Sequence, residues 1–167
     1  VLNANLPSLT RGRTSFTYYP GAAVPEADAP NIFNRSWTLT AAIEVPDSGA
    51  RGVIATMGGA PAGWSLYLDA EGRPVFTYRA FEAGEIELAG NAALGAGRHG
   101  VQVDFNYGGG GYAKGATVRL QIDGAATREG RLAVTPPKFF SINETFDVGV
   151  DMGSAAGRYP EETGPGY

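Results

Sequence analysis

Apolar and polar residues alternate one for one along several short runs of this chain. In residues 63–78, GWSLYLDAEGRPVFTY, the apolar Trp64, Leu66 and Leu68 alternate with Ser65, Tyr67 and Asp69. A period of two sends the first set to one face of a strand and the second to the other. Asp69, Ala70, Glu71 and Gly72 supply turn chemistry, and a second β-prone run covers 75–78. The stretch therefore predicts a β-hairpin, apolar enough to lie in the centre of a sheet. Residues 35–45, RSWTLTAAIEV, predict a long strand whose buried face is Trp37, Leu39, Ala41, Ile43 and Val45; Pro46-Asp47-Ser48-Gly49 closes it. The same alternation marks 100–107 and 117–123, the latter followed by the strong turn pair Asp123-Gly124. Shorter strands are expected at 14–19 (TSFTYY, stopped by Pro20-Gly21), 52–57, 85–88 and 139–142.

Residues 22–30 hold Pro25 and Pro30 and read as a loop. Residues 1–13 read as an irregular lead whose Val1, Leu2, Leu6 and Leu9 need a surface to cover. Residues 153–167, rich in Gly, Pro, Ala and Glu, read as an irregular tail. Short strands at regular spacing with no helical period predict an all-β fold, an antiparallel two-sheet sandwich in a single domain over 1–167.

A length of 167 residues suits one domain, able to bury roughly 70% of its unfolded surface without a staple. The 25 glycines and 11 prolines fit many turns. A net charge of −4 gives no basic footprint for nucleic acid. No apolar run approaches the ~18 residues of a membrane span, and no stretch reads as a signal peptide. Without cysteine there is no disulfide framework, thiolate nucleophile or cysteine metal site. The compartment stays open between cytoplasm, periplasm and secretion.

The candidate chemistry is sparse. His99 is the single histidine and sits at a turn, with no nucleophile-elbow motif to serve it. Glu82, Glu85 and Glu87 form the densest acidic cluster; alternation aims Glu85 and Glu87 to one side, as in the carboxylate strand of sandwich-fold glycosidases. That pattern wants a third acid where Gly90 stands. The glycines at 108–111 lack the GK[ST] ending of a phosphate cradle and suit a hairpin loop. Glu144, Asp147 and Asp151 could supply calcium oxygens, though not at EF-hand spacing. Asn34-Arg35-Ser36 and Asn143-Glu144-Thr145 fit the glycosylation pattern. Tyr67 and Tyr78 are the aromatic candidates for stacking on a sugar.

Four phrases taken in order, GRTSFTYYPG (12–21), NRSWTLTAAIEVP (34–46), the hairpin above and ETFDVGVDMG (144–153), resemble the C-terminal region of bacterial arylsulfatases. The resemblance implies a concanavalin-like or laminin-G-like jelly roll that follows a catalytic domain cleaving sulfate esters. It implies that the parent enzyme uses calcium and a formylglycine, made within a C/S-x-P-x-R motif. This chain has no cysteine and no Ser-x-Pro-x-Arg, so no catalytic residue carries over and no metal ligand or cofactor is assigned. The implied role is a non-catalytic accessory domain that packs on the catalytic domain and shapes substrate access; the alternative is a lectin-like module that holds a glycan. Arg13, Tyr18, Tyr19, Glu144, Phe146, Asp147 and Asp151 are expected to form the face that meets the catalytic domain. Polar and aromatic residues concentrate there without a packing need, and Arg and Tyr are favoured at interface hot spots. These residues should gather on one side and stay partly exposed. The resemblance also implies a further apolar strand that 154–167 cannot make. An open sheet edge at 14–19 or 35–45 is then expected, with self-association or an irregular covering by the tail.

Overall fold

A computed structural model describes residues 9–159. Ten strands form among them: β1 (Ala23–Pro25), β2 (Trp37–Val45), β3 (Gly52–Gly58), β4 (Ala62–Leu68), β5 (Pro74–Ala80), β6 (Glu85–Ala89), β7 (Gly97–Tyr107), β8 (Ala116–Ile122), β9 (Ala125–Leu132) and β10 (Thr145–Val148). They make two antiparallel sheets, of six strands in the order β1-β10-β3-β4-β5-β6 and of four in the order β2-β7-β8-β9. The all-β two-sheet sandwich is thus the fold. Its core lies between the sheets: Trp64, Leu66, Phe76 and Tyr78 from one meet Val101, Val103, Phe105, Val118 and Leu120 from the other.

The hairpin of residues 63–78 is β4–β5, central in the larger sheet, with Trp64 opposite Tyr78 and Leu66 opposite Phe76. Its turn closes because the Asp69 carboxylate accepts the N–H groups of Glu71 and Arg73, while Gly72 takes the positive φ of 81° that an L side chain resists. The β8–β9 turn uses Asp123 and Gly124, at φ 51° and 79°. Positive φ at both central residues is the hairpin turn whose twist matches the flanking strands.

Four expectations of local structure change. The loop expected at 22–30 holds β1 and a single 3-10 turn at Glu26–Asp28. Residues 14–19 form no strand, because the backbone groups of 14–18 bond to no described backbone group. Instead the Tyr18 ring packs edge-on against Phe146, with centroids 4.9 Å apart. Residues 139–142 form none either. The N–H groups of Phe140 and Ser141 donate to the buried carboxylate of Glu26, at 2.7 and 3.1 Å, and not to a neighbouring strand. Strand β9 arises where no alternation announces it, since its residues are mostly exposed.

The open sheet edge expected at 14–19 or 35–45 lies at β2, which pairs with β7 alone among the described residues. Strand β10 comes back between β1 and β3, with Phe146 opposite Val24 on one side and Met57 on the other. Of the irregular tail, 153–159 has no strand, yet Ala156 and Gly157 are buried against the outer face of the larger sheet. The remaining tail, and Val1, Leu2 and Leu6 of the lead, lie outside the described residues; Leu9 is exposed.

Candidate functional site

Two surfaces gather the candidate residues. The first is the outer face of the six-stranded sheet. Cross-strand neighbours there form a polar row: Asp147 opposite Thr56, Thr56 opposite Ser65, Ser65 opposite Thr77, and Thr77 opposite Glu87. Alternation forces this, because Phe146, Met57, Trp64, Leu66 and Phe76 take the inner positions. The row does not stand open. The chain after β10 returns across it, with Tyr159 edge-on to Tyr67 at 5.3 Å. A Cβ on Gly157 would stand 2.8 Å from the Tyr67 ring.

The three acids after residue 143 fasten this return. Glu144 accepts the Ser154 hydroxyl at 2.7 Å, and Asp147 accepts the Thr145 hydroxyl and the N–H of Met152 at 2.8 and 3.0 Å. Asp151 accepts the Tyr159 hydroxyl and the N–H of Gly153. Burial pushes the Asp151 carboxyl up, against the pull of the Gly153 N–H; the neighbouring Asp147 and Glu144 push it further. Each acid serves a different partner. Among the described residues no three His, Asp or Glu side chains converge as a metal site would need.

Burial corrects the sugar candidates. Tyr67 is 2% exposed and Tyr78 3%, so neither ring is open to a sugar. Tyr78 packs on Phe105 and Phe140 in the core, and desolvation pushes its phenol far up. Glu85 and Glu87 do share the outer face, as alternation requires, but Glu85 faces Arg79 at 3.3 Å and Arg158 at 3.9 Å. A side chain at Gly90 would have to displace the end of Ile122, whose Cδ1 would lie 2.9 Å from its Cβ. Asn34 uses its amide on Pro137 O and Ala113 N–H, which leaves it unsuited to carry a glycan; Asn143 is exposed. The glycines at 108–111 close under Tyr107, whose hydroxyl donates to Gly111 O and accepts the Lys114 N–H.

His99 touches Asp123 through Nδ1 at 2.8 Å and the Gly95 carbonyl through Nε2 at 2.9 Å. Both partners accept, so the ring is best satisfied as a double donor. That holds its pKa up, through Asp123 first and Gly95 second. A ring that donates from both nitrogens has no lone pair for general-base work.

The second surface is the flank where β2, the edge of the smaller sheet, faces residues of β3 and β10. The inward residues of β2 from Trp37 to Ile43 are only half-buried. Two hollows run beside them, of about 450 and 550 Å³. Phe16, Tyr18, Leu39 and Phe146 line both and so divide them. Arg13 and Arg35 line the first hollow with no carboxylate beside them, and neither forms an ion pair with a described residue. Burial pushes the Tyr18 phenol up, against the pull of Arg13.

The expected interface residues therefore divide. Arg13 and the 75%-exposed Tyr19 stand at the rim of this flank, with Tyr18 half-buried behind them. Phe146, at 7%, and Asp147, at 1%, are interior; Phe146 still lines both hollows, whereas Asp147 lines neither. Glu144 and Asp151 belong to the fastening of the tail. Sequence reasoning passes over Arg35, read only as the start of a strand, and over Glu26, whose buried carboxylate no pattern marks. Set beside known proteins, the chain matches no family model and no curated relative.

Proposed function

We propose that this chain is a non-catalytic accessory sandwich that docks on a partner polypeptide domain through the β2 flank. The four phrases that resemble arylsulfatases name the partner in this reading: the catalytic domain of a sulfuric ester hydrolase, which would carry the formylglycine and the calcium. The sandwich would be wound as a concanavalin-like jelly roll, and the return of β10 beside β1 supports that wind. The single observation that carries the docking is the half-buried apolar row of β2 beside two open hollows. An apolar surface left beside water in an otherwise covered core marks an interaction site. Tyr19 and Arg13 at its rim are of the residue types that anchor interfaces.

The test mixes the chain with an arylsulfatase catalytic domain expressed without its C-terminal region. A one-to-one complex by sedimentation is expected, weakened by Tyr19→Ala, and the chain alone releases no phenol from an aryl sulfate. Release above a heat-killed control, or no complex at any concentration up to ~100 μM, well above the range of specific interfaces, overturns the reading.

A further inference from the structure

We propose that the β2 flank is a strand acceptor: an extended segment of the partner polypeptide, apolar at alternate positions and with a carboxylate at the end beside Arg13 and Arg35, inserts along β2. This rests on the docking reading and says how the docking is made.

The first ground is the backbone. Strand β2 pairs with β7 alone, and no described residue bonds to its other edge. A nine-residue strand presents there a row of N–H and C=O groups, unbonded to any described residue, about 30 Å long. Natural edges are blunted by lysine, proline, bulges or shortness. Strand β2, WTLTAAIEV, has none of these, and its one charge, Glu44, sits near its end. Residues 14–18 on the opposite wall also leave their backbone groups unbonded to described backbone. An inserted strand therefore finds hydrogen-bonding groups on both sides.

The second ground is the shape of the gap. The hollows lie beneath the free edge, on the core side of β2, where inward side chains of a neighbouring strand would project. A second copy pairing β2 to β2 does not fill them. Its own inward residues already line its own hollows, so a continuous sheet would join two gaps and close neither. A lone strand is different: its alternate side chains have no core of their own and enter the hollows on either side of Leu39.

The third ground is charge. The hollow toward the start of β2 carries Arg13 and Arg35 and no acid, whereas the other carries Arg51 and Glu44. One end of the groove is thus positive and the other balanced. A segment with its carboxylate at the arginine end gains two charge-assisted contacts, which fixes its direction.

The test uses the whole chain and a fluorescent synthetic peptide of alternating valine and threonine, matched to β2 in length, with aspartate at either terminus. Saturable one-to-one binding is expected, with slowed hydrogen exchange at β2 amides. The double variant Arg13→Glu/Arg35→Glu should weaken the aspartate peptide about tenfold and favour its lysine counterpart. Ala41→Phe, which plugs the second hollow, should weaken both about tenfold with no fall in Tm. Binding that ignores both variants overturns the proposal. So do β2 amides as protected as those of β7 in the free monomer, since the edge is then already covered. Protection that rises with protein concentration, together with a dimer in sedimentation, overturns it in favour of a second copy. A sulfatase catalytic domain that binds while β2 amides stay fast overturns the strand and leaves the docking reading standing. Peptide insertion without catalytic-domain binding does the reverse.

Discussion

The two flanks of the sandwich close differently. At one, β6 and β9 bring the edges of the two sheets together. Gly130 of β9 permits this approach, since a Cβ there would stand 2.9 Å from the end of Leu88. Leu88 and Leu132 are buried as a result. The edge of β9 is also guarded, by Arg128, Glu129 and Arg131 and by the bulge opposite Leu120 and Gln121. At the other flank β2 alternates regularly, as β9 does not, and has no guard. Its inward Leu39, Ala41 and Ile43 pack on the core yet stay only partly buried, as does Trp37, stacked on Phe105 at 4.9 Å. An apolar face is thus a local property of a strand. Its burial depends on what arrives from the opposite sheet.

The sharpest way to break this comparison is to remove the same side chain at each flank. Leu88→Ala at the closed flank should cost about 3 kcal/mol, while Leu39→Ala at the open one should cost about 1 kcal/mol, because solvent already reaches it. Urea midpoints at constant slope read the difference. Equal losses would mean that the open flank is covered in solution.

Adding volume should invert the sign of the contrast. Gly130→Val must displace Leu88 and is expected to destabilise by about 2 kcal/mol. Ala41→Phe enters a hollow and should change stability by less than about 0.5 kcal/mol, or raise it. A large loss at Ala41 would show that the hollow is not open to side chains.

A smaller effect is expected at the His99–Asp123 contact, which pins the turn leading into β9 and so belongs to the closed flank. The folded state holds His99 above its ordinary 6.5, through Asp123 and then the Gly95 carbonyl. It holds Asp123 below 3.8, through His99 and then the Gly100 N–H. The raised histidine contributes stability fully below pH 6.5, and this is lost as pH rises through its folded value. The lowered carboxyl contributes above pH 3.8, and this is lost as pH falls through its folded value. The stability difference between wild type and His99→Ala should therefore be largest between about pH 4 and 6.5 and shrink on either side. A difference flat across that range would remove the ion pair from the account. No counterpart is expected for Arg13→Gln at the open flank, where the arginine has no acid partner among the described residues.

How much of this was legible beforehand follows the same division. The hairpin of residues 63–78, the strands at 35–45, 100–107 and 117–123, and the turn at Asp123-Gly124 could be read because period and turn chemistry act within a few residues. Arg13 and Tyr19 were expected on a partly exposed face, and both are exposed. Phe146 and Asp147 were not seen as interior, since the same short strand could have been an exposed loop until β1 and β3 flanked it. The outward set of β4 looked open to sugars, because nothing in GWSLYLDAEGRPVFTY announces that Gly157 and Tyr159 will return to cover Tyr67.

The sequence by itself determined the class of fold, the faces of its main strands and several of its turns, because steric and solvation preferences of neighbouring residues decide these. Only the tertiary structure decided that β10 enters between β1 and β3, that Glu26 takes the N–H groups a strand at 139–142 would have used, and that Gly157 and Tyr159 return over Tyr67. Those outcomes rest on contacts between segments far apart in the chain. Such contacts depend on the shape of the whole core, and alternation within a strand carries no record of what stands across the gap.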